Sequence, residues 1–253
     1  MSHNRFQDQR FEIKYLIEER MASKVRTFIR SYLDIDEYGA KQPDLAYPVH
    51  SLYLDSGGLN TYWHTINGNK NRYKLRLRYY DARPTTPIYF EVKRRMDNLI
   101  LKQRGGVRRE AVDRLLAGQY PEPGDLISSS AEDLVAVQRF VELMLYHQAR
   151  PKLHISYRRE AWESDAEDPD RVTMDRQVRS GPSHSTRPVL ETPKPHDVFD
   201  LVILELKFTD RFPNWMRDLV ETADSMQCGA AKFAEGIFVK GEDWVTRPKF
   251  VLP

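Results

Sequence analysis

Cysteine is almost missing from this chain: Cys228 is the single one in 253 residues. No internal disulfide can form, which excludes a disulfide-stapled scaffold and suits a reducing, cytoplasmic compartment. Long apolar runs are missing as well. The longest nearly apolar stretch, residues 198–206, is broken by Asp200 and Glu205, far short of the ~20 residues that a membrane-spanning helix needs. Residues 1–10 are polar and hold no signal-peptide core. His64, His147 and His154 stand at no metal-binding spacing. There is no repeat of fixed period and no long low-complexity tract. A glycine-rich phosphate loop is absent too, since Gly105-Gly106 reads as a turn without supporting features. The excess of one charge sign is small, with 39 Lys+Arg against 37 Asp+Glu for a net +2. The chain as a whole is therefore no polycation.

What is present suffices for a packed core. Hydrophobic residues make up 40% of the chain and charged residues 30%, and the expectation is one domain over residues 1–253. Thirteen Tyr and eleven Phe favour strands over a helical bundle. Helical periodicity appears at 18–33, at 131–148 behind a Ser129/Glu132 capping box, and at 214–226 behind Pro213. A short helix is expected near 110–116. Eight strands are expected near 10–17, 49–55, 72–80, 88–94, 99–104, 152–159, 171–178 and 199–208. Residues 180–197 read as a long flexible loop.

The informative pattern is charge at period two. Alternate residues of a strand face opposite ways. In 72–80 one face holds Arg72, Lys74, Arg76 and Arg78, the other Tyr73, Leu75, Leu77 and Tyr79. Glu12 and Lys14, Glu91 and Lys93, Lys102 and Arg104, and Glu205 and Lys207 repeat the split. So do Lys152, His154, Ser156 and Arg158, and also Arg171, Thr173 and Asp175. Residues 72–109 alone carry twelve basic and three acidic side chains. One explanation is an antiparallel sheet with one wet face. The other is a barrel with a charged lumen and an apolar outside under helices. Eight strands enclose a small interior, and cations crowded there repel unless an anion fills the space. A chain of phosphates fits, because Arg binds phosphate bidentately and Lys supplies point charges. The acids on these faces, Glu12, Glu91, Asp175 and Glu205, have two uses: charge balance, or ligation of Mg²⁺ or Mn²⁺ bridging phosphate oxygens. Glu205 is favoured as a ligand because a carboxylate in the apolar run 202–206 is costly without a partner. Tyr73, Tyr79 and Tyr80 interleave the basic residues as base-stacking platforms would. Tyr73 and Tyr79 fall on the apolar face, so a nucleic-acid partner is not expected.

The order and spacing of ten segments add to this reading: RFEIKY (10–15), SLYLD (51–55), YKLRLR (73–78), YFEVK (89–93), LKQR (101–104), SYRREA (156–161), RVTMD (171–175), LELK (204–207), PNW (213–215) and KFAEG (232–236). Together they resemble the VTC domain, the polyphosphate polymerase module of the vacuolar transporter chaperone type, within the triphosphate tunnel metalloenzymes. The resemblance implies an α+β fold built on an eight-stranded antiparallel β-barrel tunnel with flanking helices. It also implies transfer of phosphate from ATP to polyphosphate with Mn²⁺ or Mg²⁺. By position, Arg76, Arg78, Lys93 and Lys232 would act on the transferred group. Lys102, Arg158 and Arg171 would bind the phosphates, and the charge rows add Lys14, Lys74, Arg104 and Lys207 to them. Glu205 would hold the metal, and the charge rows add Glu12 and Glu91 as further ligand candidates. Relatives can carry membrane spans or regulatory domains; this chain shows neither, so a bacterial-type stand-alone member is expected.

Two departures from the family pattern bear on chemistry. Hydrolases of the wider superfamily open with Glu-x-Glu-x-Lys, whereas here Arg10 precedes Glu12 and Lys14. The lost carboxylate favours polymerase-type chemistry over a two-metal triphosphatase. Near the C-terminus the family pattern has Lys-Phe-Ser-Lys, and here Gly229 and Ala231 replace the first Lys and the Ser ahead of Lys232. A hydrolytic or binding-only derivative is the alternative.

Overall fold

A computed structural model describes residues 10–97, 99–166, 170–209, 211–223 and 225–246. Among these residues ten strands form one antiparallel sheet: β1 (Arg10–Ile17), β2 (Asp34–Ile35), β3 (Ala46–Asp55), β4 (Asn71–Tyr79), β5 (Ile88–Met96), β6 (Leu99–Val107), β7 (Arg150–Glu163), β8 (Arg171–Pro182), β9 (His196–Asp197) and β10 (Val202–Thr209). The strand order is β2-β7-β3-β4-β5-β6-β1-β10-β8-β9, and β7 also pairs with β8. Strand β7 thus holds β3 along one edge and β8 along the other. Strands β1 and β6 meet at the pair Arg10↔Ile100. Eight of the ten strands are those expected from the alternation. The other two, β2 and β9, have two residues each, too few to show a period.

Seven α-helices among the described residues accompany the sheet: α1 (Glu19–Ile29), α2 (Asn60–Ile66), α3 (Val112–Leu116), α4 (Ala131–Tyr146), α5 (Asn214–Ala223), α6 (Lys232–Phe238) and α7 (Asp243–Thr246). The cap of α4 is Ser130 rather than Ser129: its hydroxyl accepts from the Glu132 and Asp133 amides. Helix α2 is held by Asp55, whose carboxylate accepts from the amides of Thr61 and Tyr62 and from the Thr61 hydroxyl. No helix among the described residues is long and apolar enough to cross a membrane.

The apolar faces of most strands point outward and are covered by helices. Leu75, Leu77, Phe90 and Val92 pack against Val137, Phe140, Val141 and Met144 of α4. Tyr15, Ile17, Val172, Met174, Leu204 and Leu206 pack against Val25 and Ile29 of α1 and Leu219 of α5. Each fully buried aliphatic side chain contributes about 1.5–3 kcal/mol by leaving water, so these layers hold the curved sheet from outside. Gly105 lets α4 approach. Contrary to the expected turn, Gly105 and Gly106 lie inside β6 opposite Phe90 and Tyr89. A Cβ on Gly105 would fall 2.5 Å from Val137 Cγ2 and 2.6 Å from the Asp133 carbonyl oxygen.

A third cluster inverts the rule. Val49, Tyr53, Leu153, Ile155, Val178 and Ile203 meet Phe233, Ala234 and Ile237 of α6 on the inner side of the sheet. Helix α6 and the C-terminal segment fill that part of the interior. The apolar row of β7 consequently turns inward, opposite to the expected phase, and its polar row turns outward. Outside, His154 meets His50 across 3.3 Å, and Glu160 takes Arg26 of α1 through two bonds of 2.7 Å. The segment between β8 and β9 is tied where the Tyr79 hydroxyl donates to the Val189 carbonyl at 2.6 Å and Thr186 to Asp113 at 2.8 Å.

The close approach at Gly105 makes one prediction. Gly105→Ala is expected to lower stability by about 1–3 kcal/mol in urea unfolding, because the Asp133 backbone carbonyl stands in the way beside the Val137 side chain. Gly57, where an added Cβ would meet nothing within 4 Å, is the control: Gly57→Ala is expected to stay within about 0.5 kcal/mol.

Candidate functional site: a basic cavity inside the sheet

The inner rows of the strands converge on a cavity of about 910 Å³. Among the described residues it is lined by thirteen Lys and Arg side chains and by two carboxylates, Glu12 and Glu205. Twelve of the fourteen residues expected from sequence lie on its wall: Lys14 and Glu12 on β1, Lys74, Arg76 and Arg78 on β4, Lys93 on β5, Lys102 and Arg104 on β6, Arg171 on β8, Glu205 and Lys207 on β10, and Lys232 at the start of α6.

Arg158 is a correction. It points away from the cavity and hydrogen-bonds the Asp44 carboxylate at 2.7 and 2.8 Å and the Ala46 carbonyl. Its neighbour Arg159 takes the inner position, together with Tyr157. The sequence offers two adjacent arginines, and only the inward apolar row of β7 decides between them. Arg72 and Arg95 also line the wall.

Glu91 is the fourteenth. It is fully buried beneath the wall, not on it. Arg76 Nε reaches it at 2.6 Å and Lys102 Nζ at 3.0 Å, while Arg78 and Arg104 stand 4.0 Å away. Burial opposes ionisation, yet Arg76, Arg78, Lys102 and Arg104 hold its carboxyl well below the usual range. Glu205 is placed similarly. Lys14 and Lys232 contact one of its oxygens at 3.2 Å each, and Lys207 and Arg159 contact the other at 3.0 and 3.7 Å. Despite burial, these cations hold it far below the ordinary carboxylate value. Asp175, buried on β8, receives Arg159 through two bonds and Lys232 at 2.6 Å.

The carboxylates do not gather into one cage. No group of three or more His, Cys, Asp or Glu side chains disposed to hold a metal occurs among the described residues. Glu12 and Glu205 do converge on one cation, Lys14 Nζ, at 3.1 and 3.2 Å. Two hard oxygen donors from adjacent strands thus share one positive group. That donor set fits Mg²⁺ or Mn²⁺, which take one or two protein carboxylates and fill their shell with phosphate oxygens and water. Among the described residues Glu91 shares no cation with that pair.

Other inner groups are short of partners. Arg78 donates from Nη2 to the Tyr157 hydroxyl at 3.0 Å, but among the described residues its buried Nε has no hydrogen-bond partner. Among the same residues the buried hydroxyls of Ser51 and Thr173 have none either. Lys74 pairs with no carboxylate of the described residues; its ammonium lies 5.9 Å over the Phe233 ring. Burial, with Lys14 and Lys93 adding repulsion, pushes Lys74 down to about 7. Burial also lowers Lys207 to about 8, against the pull of Glu205.

The family model of the VTC domain matches residues 9–239. The chain belongs to the VTC domain family. Two solved structures are similar to it. A Bacillus halodurans protein named as a candidate adenylate cyclase is 12% identical, over 88% of this chain and 94% of that one, with a TM-score of 0.48. The PH1819 protein of Pyrococcus horikoshii is 9% identical, over 85% and 86%, with a TM-score of 0.39. No curated protein matches. Gly229 and Ala231, ahead of Lys232, both border the cavity.

The depressed lysines give a pH prediction. Lys74 titrates near 7 in the folded protein and near 10.5 when solvated. Between those values the unfolded chain binds more protons, so this group makes the empty protein more stable as pH rises. Polyanion binding has the opposite slope, since the anion needs the charged form. Tripolyphosphate affinity is expected to fall by roughly ten-fold for one lost charged contact between pH 7 and 9. Lys74→Met is expected to flatten both slopes in paired thermal melts and calorimetric titrations. Equal slopes in the variant would remove Lys74 from the account.

Proposed function

We propose that this VTC-domain protein transfers the terminal phosphate of ATP to a growing polyphosphate chain inside the basic cavity. The observation that carries the reading is the wall itself: thirteen cations and two carboxylates around about 910 Å³. Such an excess is neutralised by a polyanion threading the space, and not by a single small anion. In this reading the sheet is an eight-stranded tunnel, joined through the β7–β8 pairing and the Arg10↔Ile100 pair, with β2 and β9 as appendages.

Phosphoryl transfer needs alignment and charge neutralisation more than a protein nucleophile. Arg76, Arg78 and Lys93, all on the wall, hold the transferred group. Lys102, Arg104, Arg159, Arg171 and Lys207 hold the remaining phosphates in line. Lys232 anchors α6 to Asp175 and Glu205 and brings its ammonium to the wall. The apolar cluster under α6 keeps water from that flank. An oxygen of the chain's terminal phosphate attacks the γ-phosphorus. The bond to the β-γ bridging oxygen breaks, and ADP leaves with the electron pair. The attacking oxygen is already anionic at neutral pH, so no general base is required. Glu205 and Glu12 would hold Mn²⁺ or Mg²⁺, which would supply charge neutralisation on the phosphate oxygens. The single free cysteine suits a reducing, cytoplasmic setting where ATP is available.

A hydrolytic reading draws on Gly229. Where the family pattern has a lysine the wall is open, with nothing within 4 Å of a Cβ there, and water in place of the acceptor phosphate would use the same residues.

Incubation with ATP and Mn²⁺, followed by gel detection of polyphosphate and separate measurement of released phosphate, tests the reading. Polyphosphate is the expected product; phosphate alone would establish the hydrolase. Glu205→Gln is expected to lower turnover by a factor of about 10² or more, while tripolyphosphate binding in chelator is kept or strengthened, as four cations lose their shared partner. Near-normal turnover at saturating Mn²⁺ would transfer the metal to Glu12.

A further inference from the structure

We infer that the rim of the cavity where β3 begins and β4 ends is a stacking site for the base of a nucleoside triphosphate, with Tyr38 and Tyr80 as its platform. This rests on the phosphate-binding reading of the cavity and adds what that reading leaves open: where the nucleoside sits.

Four tyrosines meet at this rim. Tyr38 and Tyr80 lie nearly parallel, 6° apart, with ring centroids 6.1 Å apart. Tyr47 touches both, at 5.6 and 6.2 Å, and Tyr89 meets Tyr80 edge-on at 6.2 Å. Tyr47 and Tyr80 line the cavity. Tyr38 is 51% exposed, so the cluster continues from the wall to the surface. Tyr47 has a structural task, since its hydroxyl donates to Asp36 at 2.8 Å. Core packing does not account for a half-exposed ring held parallel to one that lines the cavity.

Position along β4 supplies the second argument. Tyr80 continues the inner row Arg76, Arg78, one two-residue step beyond the last guanidinium, about 6.6 Å along the strand. Phosphate sites followed at that spacing by an aromatic face match the order of phosphate, sugar and base in a nucleotide. Arg104 stands at the same rim with its guanidinium 3.6 Å from the Tyr89 ring centre, stacked, oriented and within the cavity lining. A planar cation so placed suits the phosphate next to the sugar. Lys41, 70% exposed, stands 5.8 Å over Tyr38 and adds a mobile charge. Stacking tolerates every base because each has a π-face, so ATP and GTP are expected to bind alike. With the base at this rim, the phosphates run inward from it, and the terminal one reaches Arg76, Arg78 and Lys93.

The test is calorimetric titration of the full chain with ATP, GTP and inorganic tripolyphosphate. Tyr38→Ala, at an exposed ring, is expected to weaken ATP and GTP by about ten-fold and to leave tripolyphosphate within about two-fold, with Tyr38→Phe like the wild type. Tyr80→Leu is expected to repeat this selective loss. ATP affinity unchanged in Tyr38→Ala, or tripolyphosphate weakened as much as ATP, would overturn the stacking site. Failure of the wild type to bind tripolyphosphate would instead overturn the cavity reading, a separate outcome.

Discussion

Repulsion between cations enclosed by one curved sheet is the constraint on which this structure depends. At 4 Å, two unit charges repel by about 4 kcal/mol at an effective dielectric of 20, and the wall brings thirteen basic side chains to one cavity. The sheet tolerates them because a few buried carboxylates are each shared among several cations. Glu91 serves Arg76 and Lys102 directly; Glu205 serves Lys14, Lys207, Lys232 and Arg159. Sharing keeps every acid ionised and leaves the cations under-neutralised. The residue of positive charge is an organised deficit: among the described residues Arg78 Nε lacks a bond and Lys74 lacks a counter-ion.

The rest of the fold follows from that interior. With charged rows inside, the apolar rows must be covered from outside, and α4 does this for β4, β5 and β6 while α1 and α5 do it for β1, β8 and β10. Where α6 enters the interior the relation reverses, and the inner face of β3 and β7 becomes apolar. The same helix delivers Lys232 to Asp175 and Glu205. One element thus fills the interior, fixes two carboxylates and adds a cation to the wall.

These relations explain which features are legible in sequence. The row Arg72, Lys74, Arg76, Arg78 alternates with Tyr73, Leu75, Leu77, Tyr79, and only a strand puts each set on one face, so β4 and its share of the wall can be read directly. The same holds for β1, β5, β6 and β10. Strand β7 misleads because the alternation says that two faces differ, not which one looks inward. That choice belongs to α6, which lies far along the chain and has seven residues, too few for a helical period to announce it. The alternation therefore points to Arg158 where the cavity uses Arg159. Gly105 and Gly106 look like a turn because their reason, the backbone of α4 against β6, is a tertiary contact. Candidate metal ligands are legible as acids on a basic face, but their partners are not. That Glu91 lies under four cations while Glu12 and Glu205 meet at Lys14 depends on cross-strand register, such as Lys14↔Glu205 and Glu91↔Arg104.

The register has a consequence for the proposed chemistry. Lys14 occupies the point where Glu12 and Glu205 converge, and both acids hold its ammonium charged against the pull of burial. A divalent ion seeking those oxygens alone would meet Lys14 at the site and a surplus of cations around it. Its Coulomb energy there is unfavourable until the sign of the interior changes. Under the proposed function a bound triphosphate would make that change, its oxygens drawing Lys14, Lys74 and Lys93 towards the phosphates. The proposed reaction would then start from a metal–nucleotide complex rather than from a preloaded metal centre, because β1 and β10 place Lys14 between Glu12 and Glu205.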